Sequence, residues 1–293
     1  MADSKQLKRP NWIKTRTTGV DGFKDTLNVI KTRGLHTVCE EDLCPNIGEC
    51  WKNKTATFLI MGDVCTRNCG FCNMKTGRPF ALDENEPDRV AEAVKDLGIK
   101  YAVITSVTRD DLEDGGALHF ANTIKSIRKL NPDTKVEILT PDFKGNVDAI
   151  KTVLEAKPNV FGHNMEVVKE FHSRVKKPPS SYDASINFLK KIKEIEPSSI
   201  TKTGVIVGVG ENKSDVFRFI DDVAEAKLDV LTIGQYLTPT KSHSPVVRYA
   251  TLEEFAEYEE YGKKAGLKVF AGPLVRSSYR ARMIYDSICN PLN

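Results

Sequence analysis

Two cysteine triplets carry the reactive chemistry of this chain: Cys39-x4-Cys44-x5-Cys50 and Cys65-x3-Cys69-x2-Cys72. They use six of the seven cysteines within a short stretch. Thiolates this concentrated point to metal, and three per site point to iron–sulfur. Three thiolates fix three irons of a four-iron cluster and leave the fourth open to a chelating ligand. An open coordination position separates a reactive metal site from a structural one.

Two plainer readings compete. Extracellular disulfides would also use six cysteines, but the opening residues 1–14 contain basic side chains and no apolar h-region. A chain of 293 residues needs no covalent staples to build a core. Zinc is the stronger competitor, because clustered thiols in a reducing compartment are often structural zinc sites. Zinc ligands usually come in CxxC pairs adding to four, however, and each triplet here lacks a fourth cysteine or a histidine nearby. The seventh cysteine, Cys289, stands on an expected C-terminal helix and reads as a small, partly buried hydrophobe.

Charge and hydropathy narrow the class. The 43 Lys and Arg nearly balance 40 Asp and Glu, for a net charge of +3. That balance argues against a dedicated nucleic-acid binder. No apolar run approaches the roughly 20 residues that cross a bilayer. The opening Lys5-Gln6-Leu7-Lys8-Arg9-Pro10 is too short for an organelle transit peptide. A cytoplasmic enzyme is expected, with neither membrane nor nucleic acid as partner.

The triplets need a scaffold, and the chain alternates strand-like and helix-like segments. Apolar runs at 57–62, 101–107, 135–140, 159–164, 203–209 and 229–236 predict strands buried on both faces, as in parallel sheets. Val90/Val94/Leu97 and Phe120/Ile124/Ile127 follow helical spacing. Leu97-Gly98 reads as a helix C-cap, and so does Ala265-Gly266 before a seventh apolar run at 268–271. Six βα units predict an α/β fold, a partial (β/α)6 TIM-like barrel with right-handed crossovers. The expected parts of this one structural unit are an N-terminal extension with the first triplet (1–54), the barrel (55–240) and a C-terminal extension (241–293).

In such folds sites form at the carboxyl ends of strands. The loop 63–72 follows the first long strand, so the second triplet belongs at the barrel mouth. The same rule puts 108–114, Asn164, 208–211 and Gln235-Tyr236 on that rim. The segment Gly204-Val205-Ile206-Val207-Gly208-Val209-Gly210-Glu211 offers close backbone approach to a ligand. Taken alone it is equally an ordinary glycine-rich strand end.

Cys65-Thr66-Arg67-Asn68-Cys69-Gly70-Phe71-Cys72 resembles the signature of radical S-adenosylmethionine (SAM) enzymes, and Gly204–Glu211 resembles their adenine-contacting element. Further motifs resemble lipoyl synthases in particular. They are Cys39-Glu40-Glu41-Asp42-Leu43-Cys44-Pro45-Asn46-Ile47-Gly48-Glu49-Cys50-Trp51, Thr108-Arg109-Asp110-Asp111-Leu112-Glu113-Asp114-Gly115-Gly116 and Thr140-Pro141-Asp142-Phe143. Gly234-Gln235-Tyr236-Leu237 and Pro273-Leu274-Val275-Arg276-Ser277-Ser278-Tyr279 extend the match to nearly the whole chain.

The resemblance implies insertion of two sulfur atoms, at C6 and C8, into an octanoyl chain on a lysine of a protein domain. The implied acceptors are lipoyl domains of 2-oxoacid dehydrogenase complexes and the glycine-cleavage H protein. Both positions are unactivated C–H bonds, which a radical must attack. A 4Fe-4S cluster on Cys65, Cys69 and Cys72 would cleave SAM with one electron from a donor such as ferredoxin or flavodoxin. An auxiliary 4Fe-4S cluster on Cys39, Cys44 and Cys50, with Ser278 as fourth ligand, would be consumed as the sulfur source. SAM contacts are implied for Phe71, Asn164, Gly204, Ile206, Gly208, Glu211, Gln235 and Tyr236.

Ser277-Ser278 without the resemblance reads as a helix N-cap. Arg276 is expected to support the cluster or bind substrate, its plainer reading being one half of a surface salt bridge. Asp63 and Arg67 suit either ordering of the cluster loop by hydrogen bonds or binding elsewhere. His119 reads as structural, and Arg109 with Asp110/Asp111 as a rim salt bridge. The chain departs from the family at Lys176, usually arginine, and at Arg280, often histidine. Lysine keeps the charge but loses the bidentate fork. Two other classes stay open here: a different sulfur-inserting or methylthio-transferring radical enzyme, and a noncatalytic metal-stabilised binding module.

Overall fold

Runs rich in Val, Ile and Thr become strands, and the amphipathic stretches between them become the helices that cover the sheet. The computed structural model describes residues 7–14, 21–53, 55–175 and 181–290. Ten strands occur among them. They are β1 (His36–Thr37), β2 (Thr57–Ile60), β3 (Val64–Cys65), β4 (Lys75–Thr76), β5 (Tyr101–Ser106), β6 (Lys135–Leu139), β7 (Val160–Gly162), β8 (Thr201–Val207), β9 (Val230–Gln235) and β10 (Lys268–Gly272). Eight form one sheet in the order β1-β2-β5-β6-β7-β8-β9-β10, while β3 and β4 pair separately. From β2 to β10 all pairings are parallel, so every carboxyl end points the same way. The six expected strands and the seventh run all appear. The short antiparallel β1 at the edge and the β3–β4 ribbon are additions, too brief to show periodicity.

The helices in chain order are α1 (Asp21–Thr32), α2 (Val38–Glu41), α3 (Ile47–Lys52), α4 (Glu86–Asp96), α5 (Ala117–Leu130), α6 (Val147–Glu155), α7 (Lys169–Val175), α8 (Tyr182–Ile195), α9 (Lys213–Glu225), α10 (Leu252–Lys264) and α11 (Ala281–Cys289). Helix α4 buries Val90 and Val94 against the sheet and stops at Leu97, where Gly98 adopts φ +63°. Helix α10 opens on a reciprocal capping box between Thr251 and Glu254. Edge-to-face rings of Phe120, Phe143, Phe188 and Phe161 run through the core, with centroids 5.9–6.2 Å apart.

The open barrel is plugged from below. In its lower interior Lys202 Nζ donates to Glu137 Oε1 at 2.8 Å, and Tyr101 Oη donates to Glu137 Oε2 at 2.6 Å. Tyr285 of α11 packs on Tyr101, ring centroids 5.5 Å apart. Cys289, expected to be partly buried, is instead exposed because α11 ends there. Lys176 lies outside the described residues.

Candidate active site

The second triplet lies in the loop after β2, released by Met61 (φ +69°) and Gly62 (φ +85°). Polar groups stitch that loop to the ends of the next two strands. Thr66 N donates to the Thr108 carbonyl at 3.0 Å, and Asp110 N donates to Thr66 Oγ1 at 3.0 Å. Arg67, the next residue, makes two forks: Nε and Nη2 to Asp110 at 2.7 and 2.9 Å, Nη1 and Nη2 to Asp142 at 2.9 and 2.7 Å. Burial opposes ionisation of the Asp142 carboxyl, but the Arg67 hydrogen bond and the charges of His163 and Arg67 outweigh it and bring its pKa to about 2. Cys65 Sγ accepts backbone N–H groups from Thr108 at 3.3 Å and Arg67 at 3.4 Å. The far end of the loop is tied by Gly70 N to the Val175 carbonyl at 2.8 Å and by His243 Nε2 against the Cys72 carbonyl at 3.1 Å.

The first triplet occupies the extension that crosses the open seam of the barrel. Cys39 sits on α2, Cys44 in the following turn and Cys50 on α3, packed in one cluster with buried Trp51 and Ala56. Burial pushes the Cys39 thiol to about 11, with a contribution from Cys44. Burial, then the charges of Cys39, Cys44 and Glu49, push Cys50 to about 12. The three sulfurs therefore feel one another in a poorly solvated pocket, where a cationic metal group relieves the cost of ionising them.

The turn before α11 docks on this triplet. Asn46 Nδ2 donates to the Leu274 carbonyl at 2.7 Å, and Tyr279 Oη donates to Glu49 Oε1 at 3.1 Å. Arg276 lies within charge range of Cys44 and Asp42, and its Nη1 donates to its own Val275 carbonyl. It is not half of a surface salt bridge. Ser278 stands between these anchors, half-buried. Neither serine caps the helix: the N-cap of α11 is Arg280, at φ +53°, with no side-chain capping bond. Arg280 instead reaches Glu49 at 3.5 Å.

The two triplets adjoin. Asn73, next to Cys72, donates its backbone N–H to Asp42 Oδ1 at 2.9 Å and its Nδ2 to the Glu41 carbonyl at 2.7 Å. Ser277 Oγ crosses the barrel interior to Asn164 Oδ1 at 2.8 Å. A Cβ at Gly204 would lie 2.8 Å from Asn164 Oδ1, Ser277 Oγ and Thr232 Oγ1, so only glycine leaves room for this meeting.

Of the other expected ligand contacts, Phe71, Ile206 and Tyr236 share an apolar rim cluster with Val167, Val175 and Val209. Gly208 turns at φ +109°, and Glu211 accepts the N–H groups of Gly208, Val209 and Gly210 at 2.6, 3.0 and 3.2 Å. Gln235 is fully buried, with Nε2 donating to the Tyr236 and Arg248 carbonyls and Oε1 accepting Ala250 N. Glu211 and Gln235 are thus engaged in shaping the glycine turn. His119 is structural, at 2.7 Å from Glu86, and Arg109 pairs with Asp111 at 2.8 Å. Asp63 pairs with Lys75. Asn73 was not singled out by the sequence, whereas Thr108 fell in the expected rim segment 108–114 and Asp142 in the Thr-Pro-Asp-Phe motif.

The donor chemistry bears on which metal group fits. Each site offers three thiols, and Cys65 Sγ accepts two backbone N–H groups, a donor set that suits an iron–sulfur cluster. Among the described residues, a separate trio of ligand atoms within 4.8 Å of one another is His36, Glu41 and Asp63.

Comparison with known proteins agrees. The Radical SAM superfamily model matches residues 59–223. The chain is 50% identical over 285 residues to lipoyl synthase from Caldicellulosiruptor bescii, covering 97% of this chain and 98% of that one. It is 52% identical over 274 residues to lipoyl synthase from Rubrobacter xylanophilus, covering 93% and 85%. In fold it is similar to methylornithine synthase, with a TM-score of 0.56 at 12% identity over 85% of this chain and 77% of that one. It is also similar to coproporphyrinogen III oxidase from Escherichia coli, with a TM-score of 0.50 at 15% identity over 71% and 52%.

Proposed function

We propose that this chain, which belongs to the lipoyl synthase family of the radical SAM superfamily, inserts sulfur at C6 and C8 of an octanoyl group carried on a protein lysine. The observation that carries the reading is the adjacency of the two triplets. Asn73, beside Cys72, is bonded to both Glu41 and Asp42 between Cys39 and Cys44. A carbon radical formed at one site must be quenched by sulfur from the other before it escapes, so the two must share a wall.

When bound, the 4Fe-4S group on Cys65, Cys69 and Cys72 supplies one electron for the cleavage of SAM, and the group on Cys39, Cys44, Cys50 and Ser278 supplies sulfide. The chain's own residues do the rest. Arg67 and Thr66 fix the loop that presents Cys65. Glu211 holds the Gly208–Gly210 backbone in the curve that receives the adenosyl moiety, beside the apolar wall of Phe71, Ile206 and Tyr236. Asn46, Tyr279 and Ser277 hold the turn carrying Ser278 against the first triplet. The apolar rim confines a radical formed there beside its target carbon and keeps other C–H and S–H donors away from it.

The acceptors are octanoylated lipoyl domains of 2-oxoacid dehydrogenase complexes and the glycine-cleavage H protein. A ferredoxin or flavodoxin supplies electrons in the cytoplasm. Residues 1–54 and 241–293 serve as extensions of the barrel of 55–240, the first carrying Cys39, Cys44 and Cys50 and the second Ser278, and each lends the shared sheet an edge strand, β1 and β10. Among the described residues no helix is long and apolar enough to cross a membrane.

Anaerobic incubation with SAM, dithionite and an octanoyl-lysine peptide tests the reading by mass spectrometry. The expected product has gained two sulfurs as a dithiol, and loses two hydrogens only on later oxidation in air to the cyclic disulfide. Cleavage of SAM that yields a methylthio product, or none, overturns it.

A further inference from the structure

We propose that Arg67 is a positioning residue that sets the reduction potential of the redox group on Cys65, Cys69 and Cys72, acting through the N–H groups aimed at Cys65 Sγ. This rests on the radical reading of that triplet and goes beyond it. The two donors come from different segments: Arg67 N, 3.4 Å from the sulfur, belongs to the loop, and Thr108 N, 3.3 Å away, belongs to the end of β5. Both can bear on one sulfur only if loop and strand end keep a fixed separation.

Arg67 supplies that constraint. Its side chain is 6% exposed and grips Asp110, two residues after Thr108, and Asp142 beyond β6, each through two hydrogen bonds. Thr66 adds a lighter stitch, with Oγ1 donating to the Thr108 carbonyl at 3.0 Å. Residues 66–68 have no helix or strand of their own to hold them. Two buried forks in different directions fix the position and orientation of a residue whose own N–H is one of the two donors. N–H dipoles directed at a cluster sulfur stabilise the extra negative charge of the reduced state and so raise its potential.

Charge and geometry make opposite demands, which allows a decisive test. Arg67→Lys keeps the positive charge but cannot form two planar forks. If only charge mattered, the potential would stay put. If the clamp aims the donors, it falls. Asp142→Asn breaks one fork while removing a negative charge, so charge alone would raise the potential and loosened donors would lower it.

The experiment uses the full chain carrying Cys39→Ala, Cys44→Ala and Cys50→Ala, so that one cluster reports, in a potentiometric titration followed by electron paramagnetic resonance. For Arg67→Lys we expect roughly four irons retained and a reduced-to-oxidised ratio about tenfold lower at the parent's midpoint, which is about 59 mV for one electron. An iron-loaded Arg67→Lys protein with the parent's midpoint overturns the proposal. If Arg67→Lys does not load, Asp142→Asn decides: a lowered midpoint supports the clamp, an unchanged or raised one overturns it. Failure of the parent to show a reducible cluster at all would instead remove the radical reading on which the proposal stands.

Discussion

Ser277 and Asn164, 113 residues apart in sequence, meet inside the barrel through a hydrogen bond of 2.8 Å from Ser277 Oγ to Asn164 Oδ1. The contact ties the turn that carries Ser278 to the end of β7, on the rim proposed to receive SAM. A cap at that turn would have been a local affair of helix stability. A bond across the interior sets instead how far Ser278 and the first triplet stand from the second.

Ser277→Ala should therefore do more than loosen a helix. A neutral, partly buried hydrogen bond contributes about 1 kcal/mol, and a loss of that size lets the turn drift. Single-turnover assays should show roughly fivefold less two-sulfur product at unchanged 5′-deoxyadenosine formation. Parent-like yield would mean the latch is dispensable.

Ser278 variants probe the expected oxygen ligand. Iron–sulfur groups are ordinarily held by soft thiolates, so a serine oxygen marks the corner easiest to release. Ser278→Cys should load iron but stall with one sulfur attached. Ser278→Ala should lower iron in the first site while SAM cleavage persists. If both make the two-sulfur product at parental yield, another residue completes that site.

The triplets should separate by mutation. The reconstituted parent should hold roughly eight irons and eight sulfides. Cys69→Ala should abolish SAM cleavage. Cys44→Ala should keep cleavage while forming no carbon–sulfur bond. Iron analysis, 5′-deoxyadenosine and product mass read the three outcomes, and normal product from Cys44→Ala would contradict a sacrificial role for the first triplet.

Gly234 is where the turn comes closest to a strand: a Cβ there would strike the Val275 carbonyl and lie 3.1 Å from Arg276 Nη1. The obstacle on the first side is backbone, so it cannot swing aside. Gly234→Ala should cost about 1–3 kcal/mol by overpacking and push the turn off the first triplet. We expect about half the iron to be lost while the second triplet stays loaded and still cleaves SAM. Full iron content would show that the turn can re-seat.

The buried Lys202–Glu137 pair sits below the site, each side chain 3% exposed. Glu137→Leu strands the Lys202 ammonium and frees the Tyr101 hydroxyl, which should cost about 3–5 kcal/mol. Urea unfolding of the full chain should show it as a lowered midpoint. The Glu137→Leu, Lys202→Met double variant should recover much of the loss, because replacing both charges removes the stranded one.

The amino-acid sequence by itself determined the scaffold and singled out the six thiols proposed as ligands. Parallel strands covered on both faces are continuous apolar runs, and helices repeat every three to four residues, so β2, β5–β10 and the caps at Gly98 and Gly266 were legible from local pattern alone. The cysteine triplets were legible too, because metal chemistry depends on residue type and short spacing. What only the tertiary structure decided are the contacts between segments remote in sequence. Arg67 finds Asp110 and Asp142 because parallel topology brings successive strand ends to one rim, whatever the sequence distance. Ser277, which reads as a helix cap in isolation, is drawn into the barrel by Asn164 and by the missing side chain of Gly204. Local pattern shows that a glycine leaves an empty space but not which remote group enters it. Only the folded chain shows what fills it.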